Sequence, residues 1–217
     1  MTVKIVALAD THGYHNDLTI PDGDVFIHAG DINAYGRETD LGDFNAFLGR
    51  LPHRTKLVIA GNHDFNFESD PQGCAKVLSN CTYLQDAGCV AEGIHFYGSP
   101  WQPWFHDWAF NLQRGDEIRA KWELIPGDTQ VLITHGPPYG HGDRTDQGIH
   151  VGCQDLLEVV EQICPLVHVF GHIHEAYGIT SNEHTEFINA SVVDLRFRLS
   201  NQPVVFTLDA AHNRVWI

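Results

Sequence analysis

Five short apolar runs in this chain each end at side chains that can bind a metal ion, and this recurrence constrains the fold more than any other feature. Short runs rich in Val and Ile and bounded by turn residues are typical of buried strands. Ligands at the carboxyl ends of neighbouring strands converge on one crevice of an open α/β sheet. The sequence therefore predicts a site large enough for two divalent cations. The runs are 4–9 before Asp10-Thr11-His12, 25–29 before Gly30-Asp31, 57–60 before Gly61-Asn62-His63-Asp64, 131–134 before His135-Gly136, and 166–170 before Gly171-His172-Ile173-His174.

Helical patterns lie between these runs, and each ends near Gly, Asn or Pro. Strands that alternate with helices predict an α/β fold with right-handed crossovers. The later runs 185–189, 204–208 and 214–217 suggest an antiparallel addition at the C-terminal end. No linker interrupts the 217 residues, so we expect one domain spanning 1–217. The predicted helices are 40–51, 71–80, 114–124 and 152–163.

Composition excludes several classes of protein. The formal net charge is −15, from 13 Lys plus Arg against 28 Asp plus Glu, which argues against binding to long nucleic acid. No apolar stretch approaches the ~20 residues that span a bilayer, and no export signal is visible, so we expect no membrane association. Five Cys is an odd number without CxxC spacing, which favours a cytoplasmic protein over a disulfide framework. The sequence predicts no oligomeric state.

The first two motifs supply carboxylates and an imidazole. Asp10 and His12 are two residues apart, so at a strand end they could grip one metal. Asp31 could bridge two cations, each oxygen binding one. Taken alone, an Asp after a strand is more often a cap or turn residue.

The later motifs are more specific. The amide oxygen of Asn62 is a neutral hard ligand, His63 could protonate a leaving group, and Asp64 could hold that imidazole in orientation. His172 and His174 could each serve a different metal. A lone HxH is more often structural, but five ligand-bearing strand ends in order argue against a structural explanation of the set.

The remaining histidines receive ordinary interpretations. His28 and His168 lie within predicted strands, where a satisfied core imidazole or a supporting role behind the ligands is expected. The others have no ligand partners at a suggestive spacing and are assigned to the surface or to turns: His15, His53, His95, His150, His184 and His212.

A segment at 97–108, YGSPWQPWFHDW, contains three of the five Trp and two Pro, and we expect a loop there. Trp101, Trp104 and Trp108 could form an aromatic wall that stacks on a base or ring of the substrate. Alternatively, the loop folds over the sheet and plugs its own core.

The ordered motifs DxH, GD, GNHD, THG and GHxH resemble those of the calcineurin-like metallophosphoesterase superfamily. More narrowly, YGSPWQPWFHDW, THGPP and VFGHIHEAYG resemble metallophosphoesterase-domain-containing proteins related to class III cyclic-nucleotide phosphodiesterases. The resemblance covers about residues 3–191 and implies a four-layer αββα sandwich. It implies His63 as a general acid or phosphate contact. Both His172 and His174 are kept, which favours a competent site. The metal ligands it implies are Asp10, His12, Asp31 and His174 for one ion, and Asp31, Asn62, His135 and His172 for the other.

The expected function is a two-metal phosphoesterase, and more narrowly a phosphodiesterase acting on cyclic nucleotides or other small phosphodiesters. A hydroxide bridging the cations would attack phosphorus in line while His63 helps the leaving oxygen depart. Mixed imidazole and carboxylate ligands suit Mn, Fe, Zn, Ni or Co.

Two alternatives remain open. Protein phosphatases and phosphomonoesterases share the scaffold, but the phosphatase motif GDxxDRG, whose Arg clamps phosphate, is absent, and Ala34 and Tyr35 stand at its Asp and Arg positions. The second alternative is a metal-binding scaffold with low turnover, which the complete ligand set argues against. A nuclease is disfavoured by the acidity except for short substrates.

Overall fold

Two six-stranded sheets form the centre of the structure, a computed structural model that describes residues 2–33 and 41–217. The first sheet has the order β14-β13-β1-β2-β3-β4 and the second the order β11-β12-β10-β9-β6-β5, whereas β7 pairs with β8. These strands are β1 (Val3–Leu8), β2 (Val25–Ala29), β3 (Thr55–Ile59), β4 (Thr82–Tyr83), β5 (Ala87–Ala91), β6 (Ile94–Ser99), β7 (Gln102–Pro103), β8 (Asn111–Leu112), β9 (Val131–Thr134), β10 (Val167–Phe170), β11 (Gly178–Ser181), β12 (Glu186–Asn189), β13 (Val204–Asp209) and β14 (Arg214–Trp216). The helices are α1 (Leu41–Arg50), α2 (Phe65–Ser69), α3 (Pro71–Val77), α4 (Asp116–Trp122) and α5 (Gln154–Ile163).

Parallel pairing fixes where the strand ends meet. In the first sheet β1, β2, β3 and β4 run parallel, and in the second β6, β9, β10 and β12 do so. Antiparallel strands are added at the edges: β13 and β14 on the first sheet, β5 and β11 on the second. A parallel bridge between Ala9 and Ser191 ties the end of β1 to the segment after β12, and so joins the two sheets where the motifs lie.

The layers follow from the alternation of side chains along the strands. On β1, Ile5 and Ala7 belong to the core that both sheets share, whereas Val6 and Leu8 pack in a second core with Phe44 and Phe47 of α1. A third core places α4 and α5 on the outer face of the second sheet. The arrangement is helices, sheet, sheet, helices, which confirms the predicted four-layer αββα sandwich.

The four predicted helices exist but are shorter than the patterns suggest. Residue 40 lies outside the described residues, and the helix predicted at 40–51 is α1. The pattern at 71–80 stops at Val77, after which the N–H of Leu78 closes the helix on the carbonyl of Cys74. The pattern at 114–124 is α4. Cys153 pairs with Pro138 as a bridge, so α5 begins two residues after the predicted start at Gly152.

Several elements differ from the sequence prediction. Tyr97 to Ser99, which were assigned to a loop, are the end of β6, and β4, β5 and β11 were not predicted. His15 and His53, expected at the surface or in turns, are buried at 1% and 2% exposure. His28 and His168 lie in strands as expected, with Nε2 2.9 Å from Thr11 Oγ1 and 2.8 Å from Thr134 Oγ1.

Within the described ranges, none of the helices has the length and apolar character needed to cross a membrane.

Candidate metal centre

The structure brings the predicted ligands together at one end of the sandwich. Each follows the carboxyl end of a strand, with three motifs on the first sheet and two on the second. Six of the seven are buried, and His172 is partly buried. The seven side chains are Asp10, His12, Asp31, Asn62, His135, His172 and His174.

Backbone strain marks four of these positions. Asp10, His12, Asp31 and His172 have positive φ angles of 58°, 43°, 57° and 69°, in the left-handed region that residues other than Gly rarely occupy. Such a conformation costs about 1–3 kcal/mol and persists only where the surrounding structure enforces it. Its occurrence at four candidate ligand positions indicates that directing these side chains into the site lowers the stability of the fold.

Two glycines allow the close approach of neighbouring motifs. A Cβ at Gly61 would lie 2.3 Å from Asp31 Oδ1, and a Cβ at Gly171 would lie 2.3 Å from Asp10 Oδ2. Any larger residue would displace a carboxylate. The Gly that follows β3 and the Gly that follows β10 are therefore part of the site.

Asp31 lies at the centre. Its Oδ2 is 3.6 Å from His12 Nε2, 3.5 Å from His135 Nε2 and 3.9 Å from His63 Nε2. The other oxygen, Oδ1, accepts a hydrogen bond of 2.8 Å from the backbone N–H of His63, which fixes the carboxylate plane.

One group of ligands lies on each side of Asp31. On the first side, His12 Nε2 is 3.4 Å from His174 Nε2, and His174 Nε2 is 3.8 Å from Asp10 Oδ1. On the second side, the Oδ1 atom of Asn62 is 2.7 Å from both His135 Nε2 and His172 Nδ1. Asp10, His12 and His174 can hold one ion together, and Asp10, Asp31 and His135 form a further cluster of this kind.

Hydrogen bonds on the far side of three rings show that a cation fits here. The Nδ1 atoms of His12, His135 and His174 face the backbone carbonyls of Asn33, Ala29 and Asp194 at 3.0, 3.0 and 3.2 Å. A carbonyl only accepts, so each Nδ1 must carry the hydrogen, and each Nε2 of the neutral ring presents a lone pair.

These lone pairs meet one another and meet oxygen acceptors. The Nε2 lone pairs of His12 and His174 lie 3.4 Å apart, and that of His135 is aimed at oxygens of Asn62 and Asp31. These contacts are repulsive unless a proton or a metal cation lies between the atoms. Among the described residues, none forms a hydrogen bond with the buried Nδ2 group of Asn62, whereas its oxygen faces two imidazoles. The donor set of imidazole nitrogen, carboxylate oxygen and amide oxygen fits divalent transition metals.

Burial and charge shift the pKa values of this cluster in both directions. Burial lowers the pKa of His135, but the adjacent Asp31 carboxylate outweighs it and raises the pKa to about 9. Burial opposes ionisation of Asp10, yet its hydrogen bond and charge contact with His174 lower its pKa to about 2. Burial, helped by the His135 charge, lowers the pKa of His172 to about 3. Asp10 and His172 are therefore in their metal-binding forms, whereas His135 exchanges a proton for a metal.

Asp64 has different partners from those predicted. Its carboxylate accepts backbone N–H groups of Gly61 at 2.8 Å, Asn33 at 2.9 Å and Ile32 at 3.2 Å, so it ties the loop after β2 to the loop after β3. Both oxygens are engaged by backbone donors, and the orientation of the His63 ring by Asp64 stays a prediction. Burial and the Asp31 charge raise the pKa of Asp64 to about 7.

His63 sits among aromatic rings at the mouth of the site. Its ring centroid is 5.1 Å from that of His12 and 4.9 Å from that of Trp108. The residue also groups with His12 and Asp31 as a possible metal cluster, so geometry alone allows either a ligand or a proton donor.

In the tryptophan-rich segment, one Trp packs as a plug of the core, and the other two line cavities as an aromatic wall would. Trp101 donates its indole N–H to Asp86 at 2.9 Å, packs against Phe110 and lies under the ammonium of Lys121, as a plug would. Trp108 lines a cavity of about 170 Å³ beside the metal ligands, and both Trp104 and Trp108 line an adjoining groove of about 460 Å³. We call these the site cavity and the aromatic groove.

Sequence reasoning missed the turn after β12. The carboxylate of Asp194 accepts the backbone N–H groups of Arg196 and Arg198 and the Arg198 guanidinium, and its carbonyl accepts from Phe197 N–H at 2.8 Å. Phe197, with φ at 55°, packs its ring against His12 and His174 at 4.8 and 5.3 Å. In the sequence, this turn is visible only as Arg196-Phe197-Arg198 in an acidic chain, and that tripeptide contains no metal-binding residue.

Comparison with known proteins agrees with the geometry. A family model described as Calcineurin-like phosphoesterase matches residues 3–176. Metallophosphoesterase domain-containing protein 1 of Homo sapiens is 40% identical over 235 residues, covering 97% of this chain and 72% of its own length. UPF0046 protein C25E10.12 of Caenorhabditis elegans is 42% identical over 228 residues, covering 95% and 81%.

A solved crystal structure superposes with a TM-score of 0.67 at 17% identity, covering 100% of this chain and 98% of that one, and supports the fold. Calcineurin-like phosphoesterases use divalent metal ions to hydrolyse phosphoesters. Because the family model covers most of the chain and relatives at 40% identity span nearly all of it, the chain belongs to the calcineurin-like phosphoesterase family.

Proposed function

We propose that this metal-dependent phosphoesterase is a phosphodiesterase for small phosphodiesters, cyclic nucleotides among them. The observation that carries the proposal is the lining of the site cavity. Its described lining residues include Asp31 and Glu175 but neither Lys nor Arg. A monoester dianion needs more positive charge than a singly charged diester, and metal ions are the cations that this site could offer.

The adjoining aromatic groove supports the same choice. It shares Trp108 and His172 with the site cavity, so a group attached to phosphorus could extend from one into the other. A diester has a second organic group to place there, and stacking on an aromatic side chain contributes about 1–3 kcal/mol per base. A diester would gain this binding energy while its phosphorus stays at the ligands.

We propose two divalent ions, drawn from Mn, Fe, Zn, Ni or Co. One would be held by Asp10, His12, Asp31 and His174, and the other by Asp31, Asn62, His135 and His172. Bound ions of this kind supply Lewis acidity and an activated water.

The proposed role of His63 is proton donation to the leaving oxygen. Burial lowers the pKa of its imidazole despite the nearby Asp31 carboxylate, which makes the imidazolium a stronger acid. Phe197 and Trp108 would exclude water around the ring and limit its orientations.

The motif argument against the phosphomonoesterase alternative rests on sequence alone, because Ala34 and Tyr35 lie outside the described residues. The preorganised lone pairs of His12, His135 and His174 support metal binding, which a low-turnover scaffold would share, and that alternative is disfavoured by the complete ligand set. We also propose a cytoplasmic protein that does not bind long nucleic acid or a membrane. The acidity and the five free cysteines support this proposal.

The test compares kcat/KM for bis(p-nitrophenyl) phosphate and a cyclic nucleotide with that for p-nitrophenyl phosphate. Each assay follows reconstitution with Mn, Fe, Zn or Ni, with metal content measured in the same samples. We expect the diesters to be preferred. A preference for the monoester with every metal would overturn the proposal in favour of the phosphatase.

A further inference from the structure

A buried carboxylate holds one imidazole at the wall of the aromatic groove. Asp143 is 1% exposed, and its Oδ1 accepts a hydrogen bond of 2.7 Å from Nδ1 of His150. Its Oδ2 accepts the backbone N–H groups of Gly140 and Gly152, both at 3.0 Å. The carboxylate is therefore fixed on three sides, and it fixes the imidazole. Tyr139 packs on the same ring with a centroid distance of 5.6 Å.

Among the polar side chains that line the groove, His150 keeps one ring nitrogen without a described hydrogen bond. Arg114 donates to the carbonyls of Val151 and Gly152 at 2.7 and 2.8 Å, and Glu175 accepts the N–H of Asp146 at 3.0 Å. Thr145 bonds within its own turn. No described residue bonds to Nε2 of His150, and the side chain is 41% exposed where it lines the groove.

The segment does not need the ring for its shape. Backbone hydrogen bonds close it at Thr145 N–H to Ile149 O, 2.9 Å, and at Val151 N–H to Asp143 O, 3.2 Å. Asp143 would still cap Gly140 and Gly152 without His150. A structural function thus explains the carboxylate but leaves the orientation of the imidazole unexplained.

Resting on the proposed phosphodiesterase function, we propose that the Asp143–His150 pair determines specificity by reading the organic group of the substrate in the aromatic groove. Asp143 fixes the hydrogen of His150 on Nδ1, so Nε2 of the neutral ring presents a lone pair to the groove. The ligand is a planar ring that stacks on the aromatic side chains and carries a hydrogen-bond donor, such as an exocyclic amine, at its edge. His150 is a specificity residue, and Asp143 is its positioning residue.

The test uses a pair of substrates that differ by one donor. Adenosine 3′,5′-cyclic phosphate carries the amine, and purine riboside 3′,5′-cyclic phosphate lacks it. His150→Phe keeps a ring against Tyr139 but removes Nε2. The matched control is His95→Phe, because His95 makes the same Nδ1 contact to Asp128 at 2.9 Å with 44% exposure and lies outside the groove. Bis(p-nitrophenyl) phosphate, which has no donor, reports on the metal site and on stacking in the groove without the hydrogen bond.

We expect the wild type and His95→Phe to favour the amine-bearing substrate by about three- to tenfold in kcat/KM, the usual range for one hydrogen bond. In His150→Phe this ratio should fall to about one with metal content unchanged, and His95→Phe should keep the wild-type turnover of bis(p-nitrophenyl) phosphate. In Asp143→Asn the imidazole of His150 is no longer fixed by a carboxylate, and the ratio should fall less than in His150→Phe. A ratio in His150→Phe equal to that of the wild type would overturn the inference.

Binding separates this inference from the proposed function. Quenching of tryptophan fluorescence by adenosine and by purine riboside measures the same discrimination in the full chain without turnover. If no diester is hydrolysed but adenosine binds more tightly to the wild type than to His150→Phe, the phosphodiesterase proposal fails and the recognition pair stands. Equal binding of both nucleosides to the wild type would overturn the pair.

Discussion

The substitution Gly61→Ala tests whether the packing of the motifs creates the metal site. Gly61 has no positive φ, so alanine is compatible with its backbone and the added methyl group is the whole perturbation. That methyl carbon would lie 2.3 Å from Asp31 Oδ1, 2.4 Å from Asp31 N and 2.7 Å from His135 Cε1. Ordinary contact begins at 3.4 Å, so Asp31 must move by about 1 Å.

The expected cost follows from that displacement. Overpacking of this kind costs about 1–3 kcal/mol of unfolding free energy, which corresponds to a fall of about 2–12 °C in Tm for a chain of this size. Moving a reacting group by about 1 Å costs on the order of 10²-fold in rate. Activity should therefore fall far more than stability, and binding of metal should weaken because Asp31 contacts both ligand groups.

The assay combines kcat/KM for bis(p-nitrophenyl) phosphate, metal content after dialysis, and thermal unfolding. Gly127→Ala is the matched control, since a Cβ there meets nothing within 4 Å. Wild-type activity and metal content in Gly61→Ala would refute the argument that close approach of the motifs sets the position of Asp31. A fall in Tm without loss of activity would mean that the backbone around residue 61 moves and the Asp31 carboxylate keeps its position.

Three further predictions concern single residues. His63→Ala should keep its metals and lose about 10²-fold or more in kcat; loss of metal as the main defect, measured by elemental analysis, would instead make His63 a ligand. Asp194→Ala removes the hydrogen bonds that shape the turn against the site, so the loaded protein should release metal to a chelator faster than Asp128→Ala, a surface control; equal rates would contradict this role. In metal-free protein the raised pKa of His135 adds stability that is complete below about pH 6.5 and lost as pH rises to about 9. Tm should therefore fall across that pH window, and it should fall less with metal bound. A Tm that does not change with pH in the metal-free protein would count against the Asp31–His135 contact.

The convergence of the candidate ligands could be predicted from sequence because each of them closely follows a strand whose apolar run is visible. Asp10, Asp31 and His172 needed no knowledge of tertiary contacts beyond the rule that parallel strands end together. The four-layer sandwich was available only through resemblance, since the runs do not reveal that they divide between two sheets. Strand β5 could not be predicted because it has no apolar run rich in Val and Ile: Val90 is its single β-branched residue.

Contacts distant in sequence explain what could not be predicted. Adjacency suggested that Asp64 supports His63, but it did not reveal that the Asp64 carboxylate accepts the backbone N–H groups of Ile32 and Asn33, 32 and 31 residues away. His15 was assigned to the surface because its partner, Asp43, is 28 residues further along. Phe197 carries no chemical signature, and its role depends on an unusual φ that the Asp194 turn imposes.

The position of Asp31 between the two ligand groups leads to a prediction about stoichiometry. Asp31 Oδ2 lies within 3.6 Å of Nε2 atoms in both groups. The Asp10 carboxylate approaches the His174 ring of the first group at 3.8 Å, and it meets the second group through the backbone N–H of His172 at 3.0 Å and in the cluster with Asp31 and His135. Asp31→Asn keeps the size of the side chain and can keep the hydrogen bond from His63 N–H, but it removes the charge that both proposed ions share. We therefore expect Asp31→Asn to lose both ions and nearly all turnover, and Asp10→Asn to lose one ion while the group around Asn62 retains its own. Elemental analysis after dialysis against buffer with a trace of metal measures the stoichiometry. Two ions retained in Asp31→Asn, or equal losses in the two variants, would show that Asp31 does not bridge.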